Sequence, residues 1–177
     1  MIDAVNAVLE RLDQLGIAYR LAEHAPAYTM EDCARVDASL HALTVKNIFL
    51  TTRHTERYYL CITRPDARFR TADISKQVGS SRLSFAPEEK LFELLRCHGG
   101  SASPLGLMFT DRVGLIVDRA LRDVPTLAFH PCDNTRTVAM SAGDFFDVFL
   151  PSLGVEPMDV EIHDFINWGL TRRGKRE

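Results

Sequence analysis

Three short stretches of this chain hold residue types that could do chemistry. The first is Lys46 with Asn47, inside the apolar run VKNIFLTT. A lysine in such a strand must snorkel, meet an acid, or face a pocket. Strand periodicity sends neighbouring side chains to opposite faces, so a site shared by Lys46 and Asn47 requires a twist, a bulge or a backbone contact. The second stretch is the loop Gly99-Gly100-Ser101-Ala102-Ser103-Pro104. Its glycines let backbone N–H groups approach an anion or a carbonyl, and its proline stiffens the exit. It has neither the lysine nor the length of a phosphate-binding P-loop, and it can equally be a plain connection. The third is the turn His130-Pro131-Cys132-Asp133-Asn134. It reads either as a rigid turn, with Asp133 and Asn134 bonding to the backbone, or as an imidazole presented where a strand ends.

Other chemistries find less support. Cys132 near His130 suggests a cysteine–histidine pair, but no orienting third group is evident. His24, His41, His54, His98 and His163 share no metal-ligand spacing, so no metal site is expected. The four cysteines Cys33, Cys61, Cys97 and Cys132 form no paired zinc motif and read as buried or incidental thiols in a reducing cytoplasm.

The elements that must hold these stretches are short. Val5, Val8, Leu9, Leu12 and Leu15 recur at helical spacing and predict a helix over 3–15, ended by Gly16. A strand from Ile17 to Leu21 follows, then a capping box, Thr29 with Asp32, opening a short helix. VKNIFLTT and YYLCIT flank a polar connection, as in an antiparallel hairpin. The first of these runs is apolar at nearly every position, which predicts cover on both faces. Helices are predicted from Thr71 to Val78 and from Pro87 to Leu95, with a strand from Arg82 to Phe85 between them. HGGSASPLG is too rich in glycine, serine and proline for a regular element. Strands are expected at 113–117, 127–129 and 135–140. Ser141 and Asp144 then form a capping box for a helix from Phe145 to Leu150.

A chain of 177 residues, 46% hydrophobic and 25% charged, has the length and composition of one domain with a real core. A net charge of −3 excludes broad polybasic capture of nucleic acid but leaves room for gripping one end of an RNA. Together with the lack of a helix-turn-helix signature, it argues against a DNA-binding protein. No apolar run spans a membrane, and acids among the first residues exclude a secretory signal. The interleaving of short strands and helices predicts a mixed α/β (α+β) domain without regular βαβ spacing. The tail RRGKRE is expected to fray, and Trp168 to anchor the preceding segment on the core.

Four segments in order, VKNIFL, SRLSFAPEEKLFELL, GGSASPLGL and HPCDNTRTVAMS, resemble the YbaK-like family. That family comprises the editing domain of bacterial prolyl-tRNA synthetase and its freestanding relatives. The resemblance covers residues 20–150, and the length and Ala/Pro-rich opening are more like the freestanding Ala-tRNA(Pro) deacylases than the Cys-tRNA(Pro) branch. It implies a compact domain over 1–165, with a central mixed, largely antiparallel sheet flanked by helices and a C-terminal tail over 166–177. It implies hydrolysis of the ester that joins a wrong amino acid, most simply alanine, to the tRNA 3′ end. No cofactor or metal is implied. The partner is the acceptor end of an aminoacylated tRNA, with transient association to prolyl-tRNA synthetase, a cytoplasmic location, and a monomer or homodimer.

Carried over position by position, the resemblance makes Lys46, Gly100 and His130 catalytic. Asn47, Ser101, Ala102, Ser103, Pro104, Leu105 and Asn134 become substrate-binding. Relatives often carry a larger residue where this chain has Ala102 and phenylalanine where it has Leu105, which bears on pocket size. Serine or cysteine as the amino acid removed, and a tRNA-end binding module without turnover, are the alternatives.

Overall fold

The computed structural model describes residues 3–54 and 57–163. Trp168 and the tail, with the expectations attached to them, lie outside the described residues, as does the end of a domain drawn to residue 165.

Helix α1 spans Ala4–Gln14, its first turn capped by the Asp3 carboxylate, which accepts from the N–H groups of Val5 and Asn6. Val5, Val8 and Leu12 form the buried stripe. Ile17 is spent in closing this helix, its N–H donating to the Leu12 carbonyl at 3.0 Å. Strand β1 therefore begins two residues later than expected and covers Tyr19–Glu23. The Thr29–Asp32 capping box is complete and opens α2, Met30–Leu40. Strand β2, Leu43–Thr44, then leads into β3, Lys46–Thr52, and the hairpin partner β4, Tyr58–Thr63. Next come α3 (Thr71–Val78), β5 (Leu83–Phe85) and α4 (Glu88–Leu95). The glycine-rich loop is less irregular than its composition suggests, because a 3-10 turn begins inside it at Pro104 and runs to Phe109. The last strands are β6 (Val113–Asp118), β7 (Thr126–Phe129), β8 (Arg136–Ser141) and β9 (Met158–Val160).

Mixed α/β architecture is found as expected, but the strands form two sheets rather than one central sheet. One has the order β1-β8-β7-β2 and the other β5-β3-β4-β6-β9. Each mixes directions: β2–β7, β4–β6 and β6–β9 are parallel, the other pairings antiparallel. The chain crosses from one sheet to the other at Val45. Thr44 still pairs with Ala128 in the first sheet, while Lys46 already pairs with Thr63 in the second.

Strand β3 is covered on both faces, as its near-continuous apolar run predicts. Phe49 stacks on Tyr58 in the main core, whereas Ile48 and Leu50 join a second cluster with Ile74 and Leu83. The helix after Ser141 is a π-helical turn, Asp144–Phe149, continuing into Leu150–Ser152. The Ser141 hydroxyl accepts from the Asp144 N–H at 3.0 Å, so the serine half of the expected box is present. Phe145 packs on Phe129 and Phe149, with centroids 4.6 and 6.1 Å away, at the centre of the main core.

Candidate active site

The crossing at Val45 opens a cleft between the two sheets. Its volume is about 290 Å³, and its walls come from the entry to α2, the β2–β3 crossing, the glycine loop and the end of β7. Lys46, Asn47, Gly100, Ala102 and His130 all line it. Lysine and asparagine share the cleft despite strand alternation because they stand at the first residues of β3, where the backbone turns between sheets. The turn is fixed locally. Asn47 Nδ2 donates to the Val45 carbonyl at 3.3 Å, and Val45 N–H donates to the Ala128 carbonyl at 3.3 Å. Asp37 of α2 accepts from both the N–H and the hydroxyl of Thr44, tying helix to strand just ahead of it.

Polar groups in the cleft are left open. The Lys46 ammonium has no ion-pair partner among the described residues, and no carboxylate lines the cleft. Asn47 Oδ1 is buried and accepts no hydrogen bond from any described residue. An unmet buried acceptor costs about 1–3 kcal/mol, so it marks a place where a donor from a ligand would be welcome. Gly100 and Ala102 likewise spend their N–H groups on no described residue.

The loop that presents those amides is held from behind. Ser101 N–H donates to the His98 carbonyl at 2.9 Å, and the Ser101 hydroxyl accepts from His98 N–H at 3.0 Å. Gly99 N–H donates to Glu88 Oε1 at 2.9 Å. Gly100 adopts φ +84°, in the left-handed region that favours glycine, with Tyr28 and Asn134 Nδ2 close over the position a Cβ would take. Ser103 is fully buried, and its hydroxyl accepts from Leu105 N–H at 3.2 Å, capping the 3-10 turn. Pro104 and Leu105 are packed into the interior. Of the loop residues named from the sequence, Gly100 and Ala102 reach the cleft, whereas Ser101, Ser103, Pro104 and Leu105 form the support beneath it. Asn134 stands outside the lining and acts through its carbonyl, which accepts from Ala27 N–H at 3.0 Å and holds the cleft's edge.

His130 is buried at the end of β7, with Nδ1 2.8 Å from the Arg136 carbonyl. A carbonyl only accepts, so Nδ1 carries the proton and Nε2 keeps a free lone pair. Burial pushes the imidazole pKa below its ordinary value; the bond to Arg136 works the other way, and His24 adds to the depression. His130 is therefore neutral at pH 7. The turn that follows is built by Cys132 at φ +62° and by Asp133, whose carboxylate accepts from the Thr135 N–H and hydroxyl at 2.7 and 2.5 Å. The Cys132 thiol is pushed far up, first by its hydrogen bond with Cys97 and then by burial, so it is no thiolate nucleophile. Among the described residues no cluster of His, Cys, Asp or Glu could hold a metal.

Several lining residues were not singled out from the sequence: Tyr28, Met30, Cys33 and Thr44. The signal available for them was position, since Tyr28 and Met30 stand on either side of the N-cap Thr29, whose capping box aims α2 at the cleft.

This arrangement agrees with what the chain is similar to. A family model described as an aminoacyl-tRNA editing domain matches residues 24–148, which carry all of the cleft residues above. The chain belongs to the aminoacyl-tRNA editing family. It is 35% identical over 145 residues to the prolyl-tRNA editing protein ProX of Acetoanaerobium sticklandii, covering 81% of this chain and 88% of the relative. Prolyl-tRNA synthetase associated domain-containing protein 1 of Mus musculus is 31% identical, with 84% and 90% covered. A solved structure described as a candidate trans-editing enzyme for prolyl tRNA synthetase superposes with a TM-score of 0.71 at 16% identity, covering 93% of this chain and 99% of the other. That likeness shows that the two-sheet fold is shared.

The editing domain is thus an aminoacyl-tRNA deacylase, a hydrolase acting on the ester at the end of a charged tRNA. Its open groups suit that ester. One cation can meet a phosphate or ribose oxygen, two amides can meet a carbonyl, and two acceptors, Asn47 Oδ1 and His130 Nε2, can meet an ammonium, a hydroxyl or a water.

Proposed function

We propose that this deacylase edits proline tRNA in trans, removing a small amino acid, alanine first, from its 3′ end. Support comes from the names of the similar proteins, which refer to prolyl-tRNA editing and to prolyl-tRNA synthetase. The observation that carries the reading is the buried, unpartnered Asn47 Oδ1 beside a free Lys46 in a cleft without carboxylates. An α-ammonium meets that oxygen, while Lys46 takes the terminal phosphate or ribose. Tyr28, exposed at the rim beside Gly100, offers a ring face to the terminal base.

In this scheme the protein positions and polarises rather than attacks. The N–H groups of Gly100 and Ala102 stabilise the charge that develops on the carbonyl oxygen. His130 Nε2 accepts a hydrogen bond from the attacking water and orients it, assisted by the 2′-hydroxyl of the tRNA. Water adds to the carbonyl carbon and the ester C–O bond breaks; the amino acid leaves as its carboxylate, one of the water's protons passes to the ribose oxygen and the other to solvent. Alanine is selected over proline by bulk, since excluding a larger side chain is easier than rejecting a smaller one.

The test is incubation of the protein with proline tRNA charged separately with alanine, serine, cysteine and proline. Rapid loss of alanine while proline persists establishes the reading. Faster loss of serine or cysteine than of alanine reassigns the substrate. Decay of all four at the rate without enzyme removes the catalytic scheme and leaves a tRNA-end binding module.

A further inference from the structure

The loop that offers the Gly100 N–H stands clear of the core over three residues. Cys97 and Ser101 are buried, while His98, Gly99 and Gly100 between them are exposed. The bonds between Ser101 and His98 close this turn on itself, so they fix its shape but not its place against the body. The outside hold comes from α4. Glu88 and Phe92 stand four residues apart on one face of that helix. Glu88 Oε1 accepts from the Gly99 N–H at 2.9 Å, and the Phe92 ring stacks on His98 with centroids 4.7 Å apart. Among the described residues, no other hydrogen bond joins residues 98–100 to anything beyond the turn. The fit is close. A Cβ on Gly99 would lie 2.7 Å from Glu88 Oε1, nearer than real Cβ contacts come, and Gly99 is not among the glycines of positive φ. Glycine at 99 therefore answers to the carboxylate rather than to the backbone.

We propose that Glu88 is a positioning residue that holds Gly99 and so aims the Gly100 N–H into the cleft. The bonded amide is one residue ahead of the catalytic one. A rotation released at Gly99 swings the Gly100 donor away from the place where charge develops on the carbonyl oxygen. Glu88 itself stays behind the loop, outside the lining of the cleft, so it acts on the substrate only through the backbone it holds. A carboxylate in the first turn of a helix also steadies the helix by its charge, and Glu88 has that place in α4. The two roles separate cleanly, because the brace needs an acceptor oxygen and the helix needs a negative charge. The inference rests on the role given to Gly100 above, while the Gly99 amide reports on the brace independently of turnover.

Glu88→Ala should lower kcat about tenfold with KM unchanged, a part of the roughly hundredfold or more that losing an oxyanion donor outright costs. Glu88→Gln keeps the acceptor and loses the charge, so its kcat should stay within about threefold of the unaltered protein. Gly99→Ala should cost as much as Glu88→Ala, by displacing the carboxylate, and should cost nothing further in the Glu88→Ala background. Exchange of the Gly99 amide with solvent, followed by ¹H–¹⁵N NMR, should quicken in Glu88→Ala and not in Glu88→Gln. An undiminished kcat in Glu88→Ala, equal losses in the alanine and glutamine variants, or additive losses on adding Gly99→Ala would each overturn the proposal. If the unaltered protein deacylates no substrate, the catalytic reading of Gly100 fails on its own. The Gly99 exchange rate then decides the brace, and a rate unchanged by Glu88→Ala removes it.

Discussion

Two regions of this molecule bury polar side chains, and they treat them in opposite ways. At one end of β6, Asp118 is almost completely buried and every approach to it is used. Arg64 Nε reaches its carboxylate at 2.9 Å, the Arg64 and Ala120 N–H groups at 3.2 Å, and the same guanidinium donates to the Ile162 carbonyl at 2.6 Å. At the head of β3, a strand away across the sheet, Lys46 meets no acid among the described residues and Asn47 Oδ1 meets no donor. The first arrangement ties β4, β6 and the segment after β9 together. The second spends stability on groups left open for something else. Buried polarity that is satisfied reads as architecture, and buried polarity that is not reads as a site.

The largest effect that would sharpen this comparison is on stability. Asp118→Ala removes the acceptor of Arg64 Nε and of two N–H groups and should cost about 3 kcal/mol, the lower end for breaking a buried pair because Arg64 is partly exposed. Denaturant unfolding reads the loss, and kcat of the fraction that stays folded should be unaltered. Lys46→Ala should behave in reverse. Removing a charged hydrogen bond to substrate lowers kcat/KM about 10- to 100-fold, whereas an unpaired lysine gives up little stability, within about 0.5 kcal/mol. A Lys46→Ala protein that unfolds as readily as Asp118→Ala would erase the distinction between the two regions.

Much of the fold is legible in the sequence because it is local. The α1 stripe, the Thr29–Asp32 box and the β3–β4 hairpin each rest on residues a few positions apart. Two- and three-residue strands such as β2 and β9 carry no periodicity to read, and the parallel pairing of β4 with β6 joins residues more than fifty positions apart. The split into two sheets hinges on Val45 alone, an ordinary strand residue whose neighbours fall into different ladders. At the site, Lys46, Gly100 and His130 are legible by type and resemblance. Ser101 and Ser103 are not separable from ligand-binding serines, because a serine that caps a turn and one that faces substrate look alike until the backbone is known.

A smaller effect comes from pH. Burial lowers the pKa of His130 in the folded protein below its ordinary 6.5. The folded state therefore binds this proton less readily than the unfolded chain, and the stability it contributes above pH 6.5 is lost as the pH falls through the folded pKa. Asp32 and Asp133 are also depressed, by bonds led by the hydroxyls of Thr29 and Thr135, but their losses begin near the carboxylate range. Between about pH 6.5 and 5 the acid slope of the unfolding free energy should flatten in His130→Gln relative to the unaltered protein. An unchanged slope would mean that His130 is not shielded from water as its burial implies.

The smallest expected effect is the sharpest on mechanism. Cys132 is two residues from His130, a free and buried thiol that donates to the Leu95 carbonyl beside Cys97, and it is held strongly protonated. It belongs with the satisfied groups, despite its place beside the site. Cys132→Ala keeps the same left-handed backbone demand at φ +62° and removes one sulfur from a packed corner. Deacylation should then stay within about twofold, with a modest loss of thermal stability. A folded Cys132→Ala protein without activity would make the thiol a nucleophile. It would also move Cys132 to the open side of the comparison and leave His130 as the base of a cysteine pair rather than the holder of a water.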